Sequence, residues 1–314
     1  MEMQGSLGEI QALMQPMKTE NGLQRPILDQ KAAMLSLQLA SVAYTQQMTP
    51  WRESGWKDVS YHIDHTLLTG EDANGGDGSN FGGVMSEYRQ FMARFRAKST
   101  NIINQVLGTV RNKDESDTCK AIVMIHKDVG SRYLVAIGFM GTGKRVYDWL
   151  ANFRIEEEEK MHKGCLQLAR SFEENEQDIV FLETAKELGL EKLTLFDIMQ
   201  ECKRPDSRFK LWLSGHSQGG AVMQVFAYRA MEEGLLQQNL IGYSFAAPSV
   251  MYKTGCMNLR SVPLFHIMND DDLTPRIGAR LHIGTCLSFH PTEEMRKACY
   301  GKVWEDERFR QVFS

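Results

Sequence analysis

The run Lys210-Leu211-Trp212-Leu213-Ser214-Gly215-His216-Ser217-Gln218-Gly219-Gly220 constrains this chain more than any other stretch. An apolar-leaning segment enters a Gly-x-Ser-x-Gly pentapeptide, and a helix-forming segment, Ala221 to Glu233, follows at once. Strand, tight turn and helix in that order are what a sharp, strained turn carrying an outward-facing serine requires. Gly215 and Gly219 have a steric task, because side chains flanking the serine would collide with the neighbouring strand and helix. In a chain with 26 glycines the pentapeptide alone is weak evidence, so its surroundings must decide.

The 314 residues suffice for a large core in one α/β domain or two small ones. A hydrophobic share of 42% with 24% charged residues is that of an ordinary soluble globular protein. The net charge of -4 leaves no basic footprint for nucleic acid, so no nucleic-acid partner is expected. The start Met1-Glu2-Met3-Gln4-Gly5-Ser6 lacks the basic and apolar regions of a secretory signal. The longest apolar run, Leu134 to Met140, is strand-sized and far short of a bilayer span. The six cysteines are scattered without a Cys-x-x-Cys pair, which argues against a disulfide scaffold and a zinc site. A cytoplasmic chain with reduced thiols, and neither metal nor cofactor, is the expectation.

Periodicity divides the chain into a loose polar arm over 1–25 and a single domain over 26–314. Residues 26–118 read as a helical extension with a loop. Within it a helix runs from Pro26 to about Gln46, and a second from about Gly83 to Val110. The glycine-rich stretch Gly70 to Gly83 carries Asp72, Asn74 and Asp77, but not at the spacing of an EF-hand loop, so it reads as a surface loop. From Ala121 strands and helices alternate. Ala121 to His126 and Tyr133 to Phe139 are expected as buried strands joined by the turn Lys127 to Gly130. A helix is expected over His162 to Glu174, and residues 176–202 form a helical insertion, hydrophobic over Ile179 to Glu201. Phe209 to Leu213, Leu240 to Phe245, Pro263 to Met268 and Leu281 to Phe289 supply further strands, and Thr292 caps a last helix. The pattern predicts an α/β fold with a mostly parallel central sheet flanked by helices.

A serine hydroxyl needs a histidine base, an acid to orient that base and backbone donors for the oxyanion. In an α/β-hydrolase fold these follow the order serine, acid, histidine. Beyond Ser217, the cluster Asn269-Asp270-Asp271-Asp272-Leu273-Thr274-Pro275-Arg276 sits where a strand ends. At least two of its three aspartates read as members of a solvated turn.

Several further motifs make the chain similar to the class 3 lipase family of α/β-hydrolases. Gly138 to Thr142, followed by Asp148 to Phe153, resembles that family's passage from strand to oxyanion loop to lid. His162-Lys163-Gly164-Cys165 resembles its His-x-Gly-Phe, with Cys165 in place of the aromatic. Gly215 to Gly220 is similar to its elbow, with Gln218 where leucine is commoner. Phe245-Ala246-Ala247-Pro248 resembles its Phe-Gly-Ala-Pro. Asp272-Leu273-Thr274-Pro275-Arg276 resembles its Asp-x-Val-Pro acid motif, which selects Asp272 over its neighbours. Met140 departs from the family's usual arginine.

The resemblance implies an ester hydrolase with Ser217 as nucleophile, Asp272 as acid and an oxyanion hole at Thr142 and Gln218. It implies a lipid or ester substrate, acylglycerol or phospholipid, and a lid over residues 144–153 with Trp149 and Leu150 for transient contact with a lipid surface. Only His282 and His290 follow Asp272, while His216 and His266 read as structural imidazoles. Eight residues from Asp272 to Leu281 are too few for a parallel crossover, so the strand Leu281 to Phe289 is expected to return antiparallel. That keeps His282 at the serine and makes it the base; a parallel strand would favour His290. No later histidine precedes a C-terminal aromatic as in many family members. A lipase-like interaction module without turnover, and a thioesterase or amidase on the same residues, are the competing readings.

Overall fold

The strand holding the pentapeptide is buried along both faces, and that burial organises everything around it. A computed structural model describes residues 13, 28–45, 49–58, 121–127, 132–141, 157–253, 259–272, 274–301 and 305. The described helices are α1 (Gln30–Thr45), α2 (Thr49–Glu53), α3 (Lys163–Glu173), α4 (Leu182–Glu187), α5 (Leu195–Glu201), α6 (Gln218–Glu232) and α7 (Glu293–Tyr300). The described strands are β1 (Lys57–Asp58), β2 (Ala121–Lys127), β3 (Tyr133–Phe139), β4 (Glu157–Glu158), β5 (Met161–His162), β6 (Phe209–His216), β7 (Leu240–Phe245), β8 (Leu264–Asn269) and β9 (Thr285–Phe289). Seven of them form one sheet in the order β1-β2-β3-β6-β7-β8-β9, and β4 and β5 pair as a separate ribbon. The β1–β2 and β2–β3 pairs are antiparallel, and every pair from β3 to β9 is parallel. A mostly parallel sheet flanked by helices is the expected fold class.

Near-continuous apolar strands suit a sheet covered on both faces. On one face Val135, Ile137, Leu211 and Leu213 pack with Phe172 of α3 and Val222, Val225 and Phe226 of α6. On the other face Leu134, Ala136 and Trp212 pack under Leu35, Leu39 and Val42 of α1. Trp51 and Trp56 close round Trp212 on this side, with ring centroids 6.2 and 5.7 Å from its own. Burying side chains of this size contributes about 1.5–3 kcal/mol each before conformational entropy is counted. The helix expected from Pro26 begins at Gln30, where the Asp29 carboxylate accepts from the N–H groups of Lys31 and Ala32. The hydrophobic stretch Ile179 to Glu201 is two short helices, α4 and α5, folded back on each other by the Val180–Thr194 bridge. Thr194 and Asp197 form a capping box at the start of α5. Among the described residues no helix is long and apolar enough to cross a membrane. The expected helix Gly83 to Val110, the glycine-rich loop and the loose arm lie outside the described residues, Leu13 of the arm apart.

The last strand corrects an expectation. Leu281 to Phe289 does not form one antiparallel strand; the ladder starts at Thr285 and runs parallel to β8. Gly284, at φ +120°, breaks the pattern, and a side chain there would collide with the Leu264 backbone. The connection therefore extends from Asp270 to Gly284, which is long enough for a parallel crossover without a helix. It crosses beside the segment after β7, where Gly278 bridges to Ser249 and Leu281 to Met251.

Candidate active site

Parallel sheets present the carboxyl ends of their strands to a crevice, and β6 ends there at His216. Ser217 follows with φ 55° and ψ -127°, a conformation that costs an L-residue about 1–3 kcal/mol. The surroundings impose it. Ser217 N–H donates to the Phe245 carbonyl at the end of β7 (2.9 Å), and the Ser217 carbonyl accepts from Ala221 N–H in α6 (3.2 Å). A Cβ on Gly215 would lie 2.5 Å from the Gly219 carbonyl carbon, and one on Gly219 would strike the Phe139 carbonyl. Strand and helix can approach this closely only because both positions are glycine. Gln218 opens α6, and its N–H is one of the first-turn donors that a helix cannot satisfy internally. Thr142 lies outside the described residues, as do the lid residues 144–153.

His216 meets Tyr44 of α1, whose hydroxyl lies 3.0 Å from His216 Nδ1. Burial lowers the His216 pKa to about 4, so the ring is neutral at pH 7. It is a structural imidazole, as expected from the sequence.

The acid loop departs from its expected character as a solvated turn. Asp271 is buried and forms a two-pronged ion pair with Arg296 of α7, Nε to Oδ2 at 2.7 Å and the second guanidinium nitrogen to Oδ1 at 2.8 Å. Asp270 pairs with His290, and its carbonyl accepts from Arg276. Asp272 accepts from Thr274 N–H at 2.8 Å, closing a short turn that leads into Thr274–Arg276. Desolvation raises the Asp272 pKa, opposed by the hydrogen bonds from Thr274. The motif's arginine and proline could be read in sequence, but no local signal tied Asp271 to Arg296, which lies 25 residues on.

His282 is half-buried on the crossover. Its Nε2 donates to the Pro275 carbonyl at 3.3 Å, and its Nδ1 is buried with no hydrogen-bond partner among the described residues. Its ring lies over His266 at 5.1 Å. His266 is wholly buried in β8, with Nδ1 2.5 Å from Ser244 Oγ and Nε2 2.6 Å from the Ile283 carbonyl. The carbonyl can only accept, so Nε2 carries the proton and the Ser244 hydroxyl donates to Nδ1. Burial lowers the His266 pKa to about 3, and burial lowers that of His282 as well. Gln224 of α6 completes the network, accepting from Ile283 N–H and donating to the Pro248 carbonyl. The residue after His282 is thus tied to α6, the helix that follows Ser217. The parallel register of β9 carries His290 to that strand's C-terminal end, where it is 88% exposed on Asp270.

The structure brings Asp272 and His282 onto one connection through the Thr274–Arg276 turn and the Pro275 carbonyl. Among the described residues no hydrogen bond joins Asp272 to His282, and no imidazole is hydrogen-bonded to Ser217 Oγ. No group of three or more metal-ligating side chains is present among those residues.

Residues 136–281 match the family model for the class 3 lipases, a span that ends one residue before His282. No protein of curated function matches the chain. Solved structures similar to it include a triacylglycerol lipase whose catalytic centre is a serine-protease triad, at 19% identity and a TM-score of 0.36 over 55% of this chain and 63% of that one. Lipase II from Rhizopus niveus is similar at 17% identity, TM-score 0.35, over 51% and 56% of the two chains. The triacylglyceride lipase of Rhizomucor miehei is similar at 18% identity, TM-score 0.38, over 69% and 83%. This chain therefore spans 63% and 56% of the first two, and likeness at these levels says nothing of what it acts on. Residues 136–281, which hold the serine elbow, the acid loop and the parallel strands between them, are thus the part of the chain that matches the class 3 lipase family.

Proposed function

We propose that the chain is a serine hydrolase cleaving carboxylic ester bonds of lipids, with acylglycerols or phospholipids as the substrate class. One observation carries this reading: Ser217 is forced to φ 55° on a turn that only glycine neighbours permit, at the carboxyl edge of the parallel sheet. Strain of this kind persists where the surrounding structure over-determines it, and it concentrates at reactive residues.

On this reading Ser217 Oγ attacks the ester carbonyl carbon and its proton passes to His282. The oxyanion of the tetrahedral intermediate faces the N–H of Gln218 and of Thr142. Collapse breaks the bond to the alcohol oxygen, which recovers the proton from His282, and leaves an acyl-enzyme. Water repeats the sequence and frees the acid. The Pro275 carbonyl holds the Nε2 proton of His282 and so leaves Nδ1 with the accepting lone pair. Asp272 braces the turn that presents this carbonyl and adds negative charge for the imidazolium to face. Contact with a lipid surface through residues 144–153 belongs to the same reading and rests on Trp149 and Leu150 in the sequence. The free thiols of Cys165, Cys202 and Cys286 support a reducing, cytoplasmic setting.

A second reading, a lipase-like module without turnover, is favoured because, among the described residues, no imidazole is hydrogen-bonded to Ser217 Oγ and Asp272 is not hydrogen-bonded to His282. Labelling with a fluorophosphonate and turnover of p-nitrophenyl esters from acetate to palmitate separate the two. Wild type should be labelled and turn over the longer esters, and Ser217→Ala should do neither. His282→Ala should lose turnover by about 10²-fold or more, the lower range of a lost general base. No labelling of wild type would leave the module. Activity that survives His282→Ala but not His290→Ala would move the base to His290.

A further inference from the structure

The nucleophile strand shows α1 a row of alternating side chains, and each member of the row is hydrogen-bonded to that helix. Trp212 Nε1 donates to Ser36 Oγ at 2.8 Å, and Ser214 Oγ donates to the Ser36 carbonyl at 2.6 Å. His216 Nδ1 meets the Tyr44 hydroxyl at 3.0 Å. Successive residues of a strand face opposite sides, so 212, 214 and 216 share one face. Ser36 and Tyr44 lie about 12 Å apart along a helix, close to the roughly 13 Å that separates 212 from 216 in a strand. The helix runs beside β6 in the same direction and reaches the elbow with its last turn.

Tyr44 does more there than pack. Its phenol is half-buried, and desolvation raises its pKa and keeps the proton on oxygen, while a hydrogen bond from the Gly141 backbone opposes the rise. Gly141 precedes Thr142. A Cβ on Gly141 would land on the Tyr44 hydroxyl and 2.5 Å from the His216 carbonyl, so the loop touches both. One phenol oxygen thus accepts from Gly141 and donates to His216. The His216 ring is neutral, and the phenol oxygen lies within hydrogen-bond reach of both its Nδ1 (3.0 Å) and its carbonyl (3.4 Å).

We infer that Tyr44 is a positioning residue that clamps the oxyanion loop to the nucleophile elbow, so that α1 is part of the active centre. The clamp joins Gly141, next to one oxyanion donor, with His216, next to the nucleophile. The catalytic consequence rests on the hydrolase reading above; the clamp itself does not. A bond of this kind acts on the transition state through donor placement, because the phenol itself touches neither substrate nor reacting atoms.

The experiment is Tyr44→Phe in the full chain, which keeps the ring and removes the oxygen. Amide hydrogen exchange at Gly141 is expected to quicken at least tenfold while the melting temperature stays within a few degrees of wild type. Turnover of a p-nitrophenyl ester should lose about tenfold in kcat with KM within twofold, because the missing bond matters only when the oxyanion forms. Unchanged exchange at Gly141 would overturn the clamp, and unchanged kcat would overturn its catalytic role. If wild type turns nothing over, the hydrolase reading and the catalytic role fall together, while the exchange result still decides the clamp.

Discussion

At the scale of single residues, the chemistry turns on how burial treats the imidazoles near the elbow. His282 carries a pKa below that of a free imidazole because its surroundings penalise the charged ring more than the Pro275 carbonyl favours it. A base must be unprotonated to accept, so a depressed pKa extends the active form to lower pH. The acid limb of kcat/KM for p-nitrophenyl butyrate should therefore fall below the ordinary imidazole value of about 6.5. A limb at or above that value would remove His282 as the base. Ser217, Asp272 and Gln218 could be named from their motifs, whereas the choice of His282 over His290 rested on an antiparallel last strand that the structure shows to be parallel. Tyr44 could not, because a tyrosine at the end of a helix carries no sign that its hydroxyl will meet a strand 172 residues later.

At the scale of elements, the acid loop is held by parts of the chain that follow it. The Asp271–Arg296 pair fastens α7 to the turn after β8, with the Asp271 side chain 3% exposed and that of Arg296 19%. Removing one partner of a buried pair strands the other charge, whereas replacing both with apolar groups of similar volume is far milder. Asp271→Ala should lower the unfolding free energy in urea by about 3 kcal/mol. Asp271→Leu combined with Arg296→Met should lose about 1 kcal/mol or less. An equal loss in both would show that packing rather than the stranded charge decides. The three adjacent aspartates look alike in the sequence. Only the return of α7 and His290 to this corner gives each a different environment.

At the scale of the whole molecule, stability is tied to keeping several imidazoles neutral. Burial lowers the pKa of His266 to about 3, and of His162 and His216 to about 4. In the unfolded chain each returns to about 6.5, so below that pH the unfolded state binds more protons than the folded one. Their contribution is fully present above pH 6.5 and is lost as the pH falls toward 4. Each adds a slope of up to roughly 1.4 kcal/mol per pH unit over that window. Urea midpoints measured from pH 7.5 to 5 should drop with a net proton uptake of about two, because the proton held by Glu176, whose pKa burial raises to about 8, offsets one imidazole, and a flat profile would contradict the neutral rings.

The parallel sheet, the central strand from Phe209 to Leu213, the elbow and the capped last helix were legible in the sequence, because local periodicity and glycine placement express them directly. The direction of the final strand was not. Its reading depended on where the strand starts, and that start is set by Gly284 pressed against the Leu264 backbone. The placement of α1 was equally hidden. Its apolar stripe shows that it must cover something, but only tertiary packing chose the Trp212 face and so brought Tyr44 to the elbow. What a residue can do chemically follows from its own side chain and neighbours in the chain. What it meets depends on which buried surfaces fit together, a long-range condition that no local pattern encodes.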